Sequence, residues 1–207
     1  MSTLVLAEAT AAATLRRWLG ARARVVDEIT RSHSELACVR FAAEDGTQIG
    51  VLEDHVGEVA FATVEGPAAA TWTEALTHVV QCVGVPGVLA MLGANADPRQ
   101  WIRGLSRLAL LREARLPVAD DPARSDTAEA TSEAMLQAWT RALAHPHTAV
   151  RRAAIRTCHG ARWPALRAVI IARIGVDLEL RPQLERLVAH LDRLGGATSP
   201  TLAKASG

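Results

Sequence analysis

Apolar residues in this 207-residue chain repeat with two different periods, and the two periods occupy different stretches. From Leu36 to Val64 the period is two. Ala37, Val39 and Phe41 alternate with Leu36, Cys38 and Arg40, and Val59, Phe61 and Thr63 alternate with Ala60, Ala62 and Val64. A pleated strand points successive side chains to opposite faces, so this spacing predicts strands. Asp45-Gly46 supplies a hairpin turn between the first of them and a short strand from Gln48 to Leu52. The three segments predict an antiparallel meander, which needs a helix over one face to be stable.

Elsewhere the apolar period is helical. Ala11, Leu15, Trp18 and Leu19 predict a helix over 7–20. After the break at Gly66-Pro67, Trp72, Ala75, Leu76, Val79, Val80 and Val83 share one helix face, the expected cover of the sheet. A short helix is expected from Val88 to Leu92. Asp97-Pro98 then reads as a helix start, ahead of an apolar stripe of Trp101, Ile102, Leu105, Leu108 and Ala109. Residues 116–128 hold Pro117, Asp120, Asp121, Pro122, Ser125 and Asp126, the composition of a linker or long loop. Four further amphipathic helices follow, the last two starting near Trp163-Pro164 and Arg181-Pro182.

The expected fold class is therefore α+β, mostly α. An N-terminal α+β unit spans 1–115, a linker 116–128, a helical array 129–194 and a flexible tail 195–207. Aromatic residues make up only 3% of the chain against 49% hydrophobic, so the cores must be built from Ala, Leu, Val and Ile.

The run from Ala142 to Ile155, Ala-Leu-Ala-His-Pro-His-Thr-Ala-Val-Arg-Arg-Ala-Ala-Ile, resembles the HEAT repeat across roughly Ser132 to Gly160. In that family a helix ends in a proline-bearing turn, and a second helix opens with a Val-Arg pair followed by small residues. Here Pro146 takes the turn, Val150-Arg151 the pair, and Ala153 and Ala154 the small positions. HEAT repeats commonly carry turn acids that approach the arginine of the adjacent repeat; this chain has His145 and His147 in that turn. The resemblance implies stacked helix pairs that present a curved surface to another macromolecule, most often a protein. It agrees with the physics of a helix pair whose apolar faces cannot be buried without a neighbour.

Charge is segregated. Residues 1–98 hold six Arg against twelve acids, whereas residues 141–193 hold ten Arg against four acids. Two basic clusters are candidate partner surfaces: Arg99, Arg103 and Arg107 at helical spacing opposite the apolar stripe, and Arg151, Arg152 and Arg156 on the helix bearing the Val-Arg pair. The partner expected is another protein. Nucleic acid is the alternative, with the five Trp falling on apolar faces rather than between arginines as base stacking requires.

Catalysis finds no motif. The chain contains no GxSxG, P-loop, GxGxxG or HExxH, so it is read as non-enzymatic with no catalytic residue and no cofactor. Glu53, Asp54 and His55 read as a polar turn, with an acid/base site between the meander and the helices as the other reading. His145, His147 and His159 lack the companion ligands of a zinc site, so no metal is expected. Cys158 falls on the buried stripe as a core thiol, and Cys38, Cys82 and Cys158 are too widely spaced to suggest a disulfide framework. The first residues lack the basic start of a secretory signal, and no apolar run is long enough to cross a membrane, so a cytoplasmic location is expected.

Overall fold

The computed structural model describes residues 1–30, 36–93, 96–114, 125–161, 163 and 165–196. The described chain is α+β and mostly helical. Its elements run β1 (Ser2–Val5), α1 (Ala11–Gly20), β2 (Arg24–Ile29), β3 (Leu36–Ala42), β4 (Gln48–Asp54), β5 (Val59–Glu65), α2 (Ala69–Val79), α3 (Val85–Met91), α4 (Pro98–Ala114), α5 (Ser125–Leu143), α6 (Thr148–Ala161), α7 (Leu166–Ile174) and α8 (Arg181–Gly196).

The three expected strands are β3, β4 and β5, but the sheet has five strands, ordered β1-β5-β4-β3-β2 and antiparallel throughout. Both additional strands lie outside the meander, and neither carries a clean alternation. β1 is only four residues long. β2 is exposed along its whole length and its register shifts between Val25 and Asp27, so burial never selects one side of it.

One face of the meander, including Phe41, Ile49 and Val64, packs beneath α1 and α2 through Leu15, Leu19 and Leu76. The covering helix α2 stops at Val79, short of its expected reach to Val83. Beyond it the chain turns extended and runs beside β1: Ala7 donates to the carbonyl of Gln81, and Val83 donates to the carbonyl of Val5. The outer side of β1 is thereby hydrogen-bonded.

A second core gathers α3 to α8, with Leu92, Leu105, Trp139, Val150, Leu166 and Leu187 among its buried residues. The division between cores falls between α2 and α3, ahead of the polar stretch at which the sequence places its boundary. Of the expected linker, residues 125–128 form the first turn of α5, and 116–124 lie outside the described residues. Of the expected tail, 195–196 end α8, and 197–207 also lie outside the described residues. The six helices form successive hairpins: α3 packs on α5 and α5 on α7, while α4 packs on α6 and α6 on α8.

The entry to α2 depends on one glycine. Gly66 sits at φ +134, and a Cβ there would stand 2.7 Å from the Thr47 Cα. Thr47 is fully buried, and its hydroxyl accepts the Ala68 amide, so it has no room to retreat. Gly66→Ala is expected to lower stability by about 1–3 kcal/mol in urea denaturation. Gly175→Ala, where a Cβ meets nothing within 4 Å, should leave the midpoint unchanged or slightly raised.

Candidate interaction surface

The six candidate arginines are used very differently. Arg99 is exposed, with no partner among the described residues. Arg103 reaches back to the N-terminal unit, with Nη2 2.8 Å from Glu58 Oε2. Arg107 is only 3% exposed: its Nη2 donates to the Ala7 carbonyl and its Nη1 to Met91 Sδ. The three do not form one open basic stripe. Helix α4 is covered on two sides, by the helical core at Trp101, Leu105 and Leu108 and by the sheet unit along the Arg103–Arg107 side.

On α6, Arg156 donates to Ser106 Oγ of α4 at 3.3 Å, and Arg152 pairs with Glu179 at 3.2 Å. Arg151 is the most heavily engaged. Its Nε lies 2.6 Å from Asp177 Oδ2, its Nη2 meets Glu179, and its Nη1 donates to the carbonyls of His145 and Pro146. One guanidinium therefore joins the turn between α5 and α6 to the turn between α7 and α8. The turn in which the resemblance places an acid, one that would approach the arginine of an adjacent repeat, holds His145 and His147 instead. The acid is in the turn of the next hairpin.

That second turn holds a feature the sequence reading missed. Asp177 is 8% exposed and accepts the Leu180 amide through Oδ1 at the start of α8, while its neighbours Val176 and Leu178 are 65% and 68% exposed. Within this turn Asp177 and Leu180 face inward, Asp177 toward Arg151, while Val176, Leu178 and Glu179 are left facing solvent. The signal was present in Gly175-Val-Asp-Leu-Glu179, where a connection between helices carries two large apolar residues. Exposed Ile171 lies one turn back on α7.

Glu53, Asp54 and His55 stand where the sheet unit meets α4. Asp54 Oδ1 accepts the amides of Val56 and Gly57, each at 2.9 Å, closing the β4–β5 turn. Gly57 permits the docking of that turn, because a Cβ there would lie 2.6 Å from Ser106 Oγ and 2.9 Å from Ser106 Cβ on α4. The turn, the segment from Ala7 to Thr10 and α4 form the walls of an open-mouthed cavity of about 520 Å³ lined by Glu8, Glu53, Asp54, His55, Arg103 and Arg107 among others. Glu53 itself is held by Arg16 at 2.5 Å.

The remaining candidates settle into the framework. Cys158 is fully buried, and burial pushes its thiol well above the ordinary range, so it packs as an apolar side chain. His145 lies against Trp101 with ring centroids 5.6 Å apart, and desolvation, then repulsion from His147, holds it below the usual imidazole range. His159 stacks on His190 of α8 at 3.7 Å, away from both. Among the described residues no group of three or more His, Cys, Asp or Glu is placed to hold a metal ion, and no helix is long and apolar enough to cross a membrane. Compared with family models, curated proteins and solved structures, the chain matches none.

Proposed function

We propose that the protein is a non-enzymatic interaction module, an adaptor, scaffold or regulatory binder of the immunity type, that offers a HEAT-like helical surface to a partner protein. The observation that carries this reading is the α7–α8 turn, where two exposed apolar side chains flank a buried, ion-paired aspartate. Exposed valine and leucine on a loose loop would gain little on binding, because ordering the loop offsets the burial. Here the loop is fixed in advance by Arg151, so Val176 and Leu178 are preorganised anchors. Glu179 and Arg181, which follow Leu178 in the chain, and Arg152, which pairs with Glu179, are exposed and supply the charges of a rim.

The HEAT-like assignment is supported by the stacking of like helices and by the arginine of the Val150-Arg151 pair reaching an acid in the adjacent hairpin. A phosphate-tracking surface has less support, since five of the six candidate arginines are hydrogen-bonded within the chain. The module works in the cytoplasm, in keeping with three free cysteines, two of them buried.

The test is capture of partners from the native host with nuclease present, using wild type and the double variant Val176→Asp, Leu178→Asp. A discrete protein retained by wild type should bind the variant about 30-fold or more weakly, as loss of an apolar hot spot implies. The melting temperature should stay the same, because both side chains are already in water. Retention that disappears with nuclease would replace this reading with nucleic-acid binding. Equal capture by the variant would remove the α7–α8 turn from the interface.

A further inference from the structure

The cavity between the Ala7–Thr10 segment, the β4–β5 turn and α4 has the volume of a small-molecule site, about 520 Å³. Its charges are unevenly satisfied. Glu53 is paired with Arg16, and Glu58 with Arg103. Glu8 uses only Oε2, to accept the Thr10 hydroxyl, and Asp54 uses only Oδ1, for its own turn. One carboxylate oxygen of each has no hydrogen-bond partner among the described residues.

On the α4 wall the imbalance has the opposite sign. Arg107 is almost wholly buried, yet neither of its acceptors, a carbonyl oxygen and a thioether, carries a charge, and its Nε has no partner. A guanidinium has five N–H donors and keeps its charge, so three donors and a full positive charge are left without an answering group. Burial and the neighbouring Arg103 both pull the Arg107 guanidinium below its ordinary value, the direction expected of a cation that lacks a counter-ion. His55, on the same cavity, also has a buried Nε2 without a partner.

We propose that this cavity binds a small zwitterion of amino-acid type, its carboxylate received by Arg107 and its ammonium by Glu8 and Asp54. A simple anion would answer Arg107 but face the acidic wall. A simple cation would satisfy the wall and leave the buried guanidinium unanswered. A molecule with both groups settles the two imbalances together. This site is separate from the α7–α8 turn, so the two kinds of binding are tested independently.

The experiment titrates the full chain with free L-amino acids, and with acetate and methylammonium as single-ended probes, following backbone amide shifts by NMR. At least one amino acid should saturably shift the amides of 7–10 and 53–58. The single-ended probes should bind about tenfold or more weakly, the difference made by one charge-assisted hydrogen bond. Glu8→Gln, at an exposed side chain, should weaken the amino acid by a similar factor. Arg107→Lys, which keeps the charge but loses the planar fork, should do the same. Acetate binding as tightly as any amino acid would overturn the proposal in favour of a plain anion site. So would Glu8→Gln binding like wild type, or an absence of shifts in these amides at millimolar concentrations of every amino acid.

Discussion

In the Asp177→Ala variant the free energy of unfolding is expected to fall by about 3–5 kcal/mol, through two losses at one position. Oδ2 is the 2.6 Å partner of Arg151, in a pair whose side chains are only 14% and 7% exposed. Oδ1 accepts the Leu180 amide at the start of α8. Removing the carboxylate leaves a mostly buried guanidinium short of charge and the helix short of a cap. Asp177→Asn separates the terms, since it keeps an oxygen for Leu180 while removing the charge. In a double-mutant cycle with Arg151→Met, followed by urea denaturation, the two positions should couple by about 1–3 kcal/mol. If the two substitutions are simply additive, the pair does not hold the turn. Partner binding should weaken in Asp177→Ala even where folding is complete, because Val176 and Leu178 then sit on a loosened loop.

A loss of comparable size is expected from Trp139→Ala, about 3–5 kcal/mol, read as a lowered urea midpoint with the slope unchanged. Trp139 is fully buried in the helical core, and its ring meets Trp163 edge-on at 6.1 Å. The polar end of the indole is also accounted for, with Nε1 donating to Thr157 Oγ1 at 3.0 Å. Trp139→Phe should cost less, because Thr157 still donates to the carbonyls of α6. Thr157→Val should cost about 1–3 kcal/mol despite its nearly equal volume, since it strands the buried indole N–H. A cost near zero for Thr157→Val would mean that this hydrogen bond contributes nothing to the core.

The two candidate surfaces were legible to different degrees. The importance of Arg151 could be read from its place in the Val-Arg pair, but its partner could not. Asp177 lies 26 residues away along the chain, and the contact exists only because α7 and α8 fold back beside α6. The reading of Arg107 as a surface residue followed from its position opposite Trp101, on the assumption that a helix has one buried side. Helix α4 is packed on two, because it joins the helical core to the sheet unit. The Glu53–His55 segment was visible as a polar cluster, although Glu53 and Asp54 end β4 rather than lying in the turn. The guanidinium facing it from α4 was invisible for the same reason as Asp177: no local pattern records contacts of such separation.

What the sequence alone determined is what depends on local periodicity. Alternation over 36–64 set the strands of the meander, the helical spacing of apolar residues set the helices, and glycine and proline set most of the breaks. These follow from side-chain direction along a single element, which a window of ten or so residues contains. Tertiary structure decided the two outer strands, β2 because it is exposed along its length and β1 because it is too short to carry a pattern of its own. It also decided which core owns α3 and α4, and which arginines face solvent. Each of these is settled by what packs on the second side of an element, and that partner comes from a distant part of the chain.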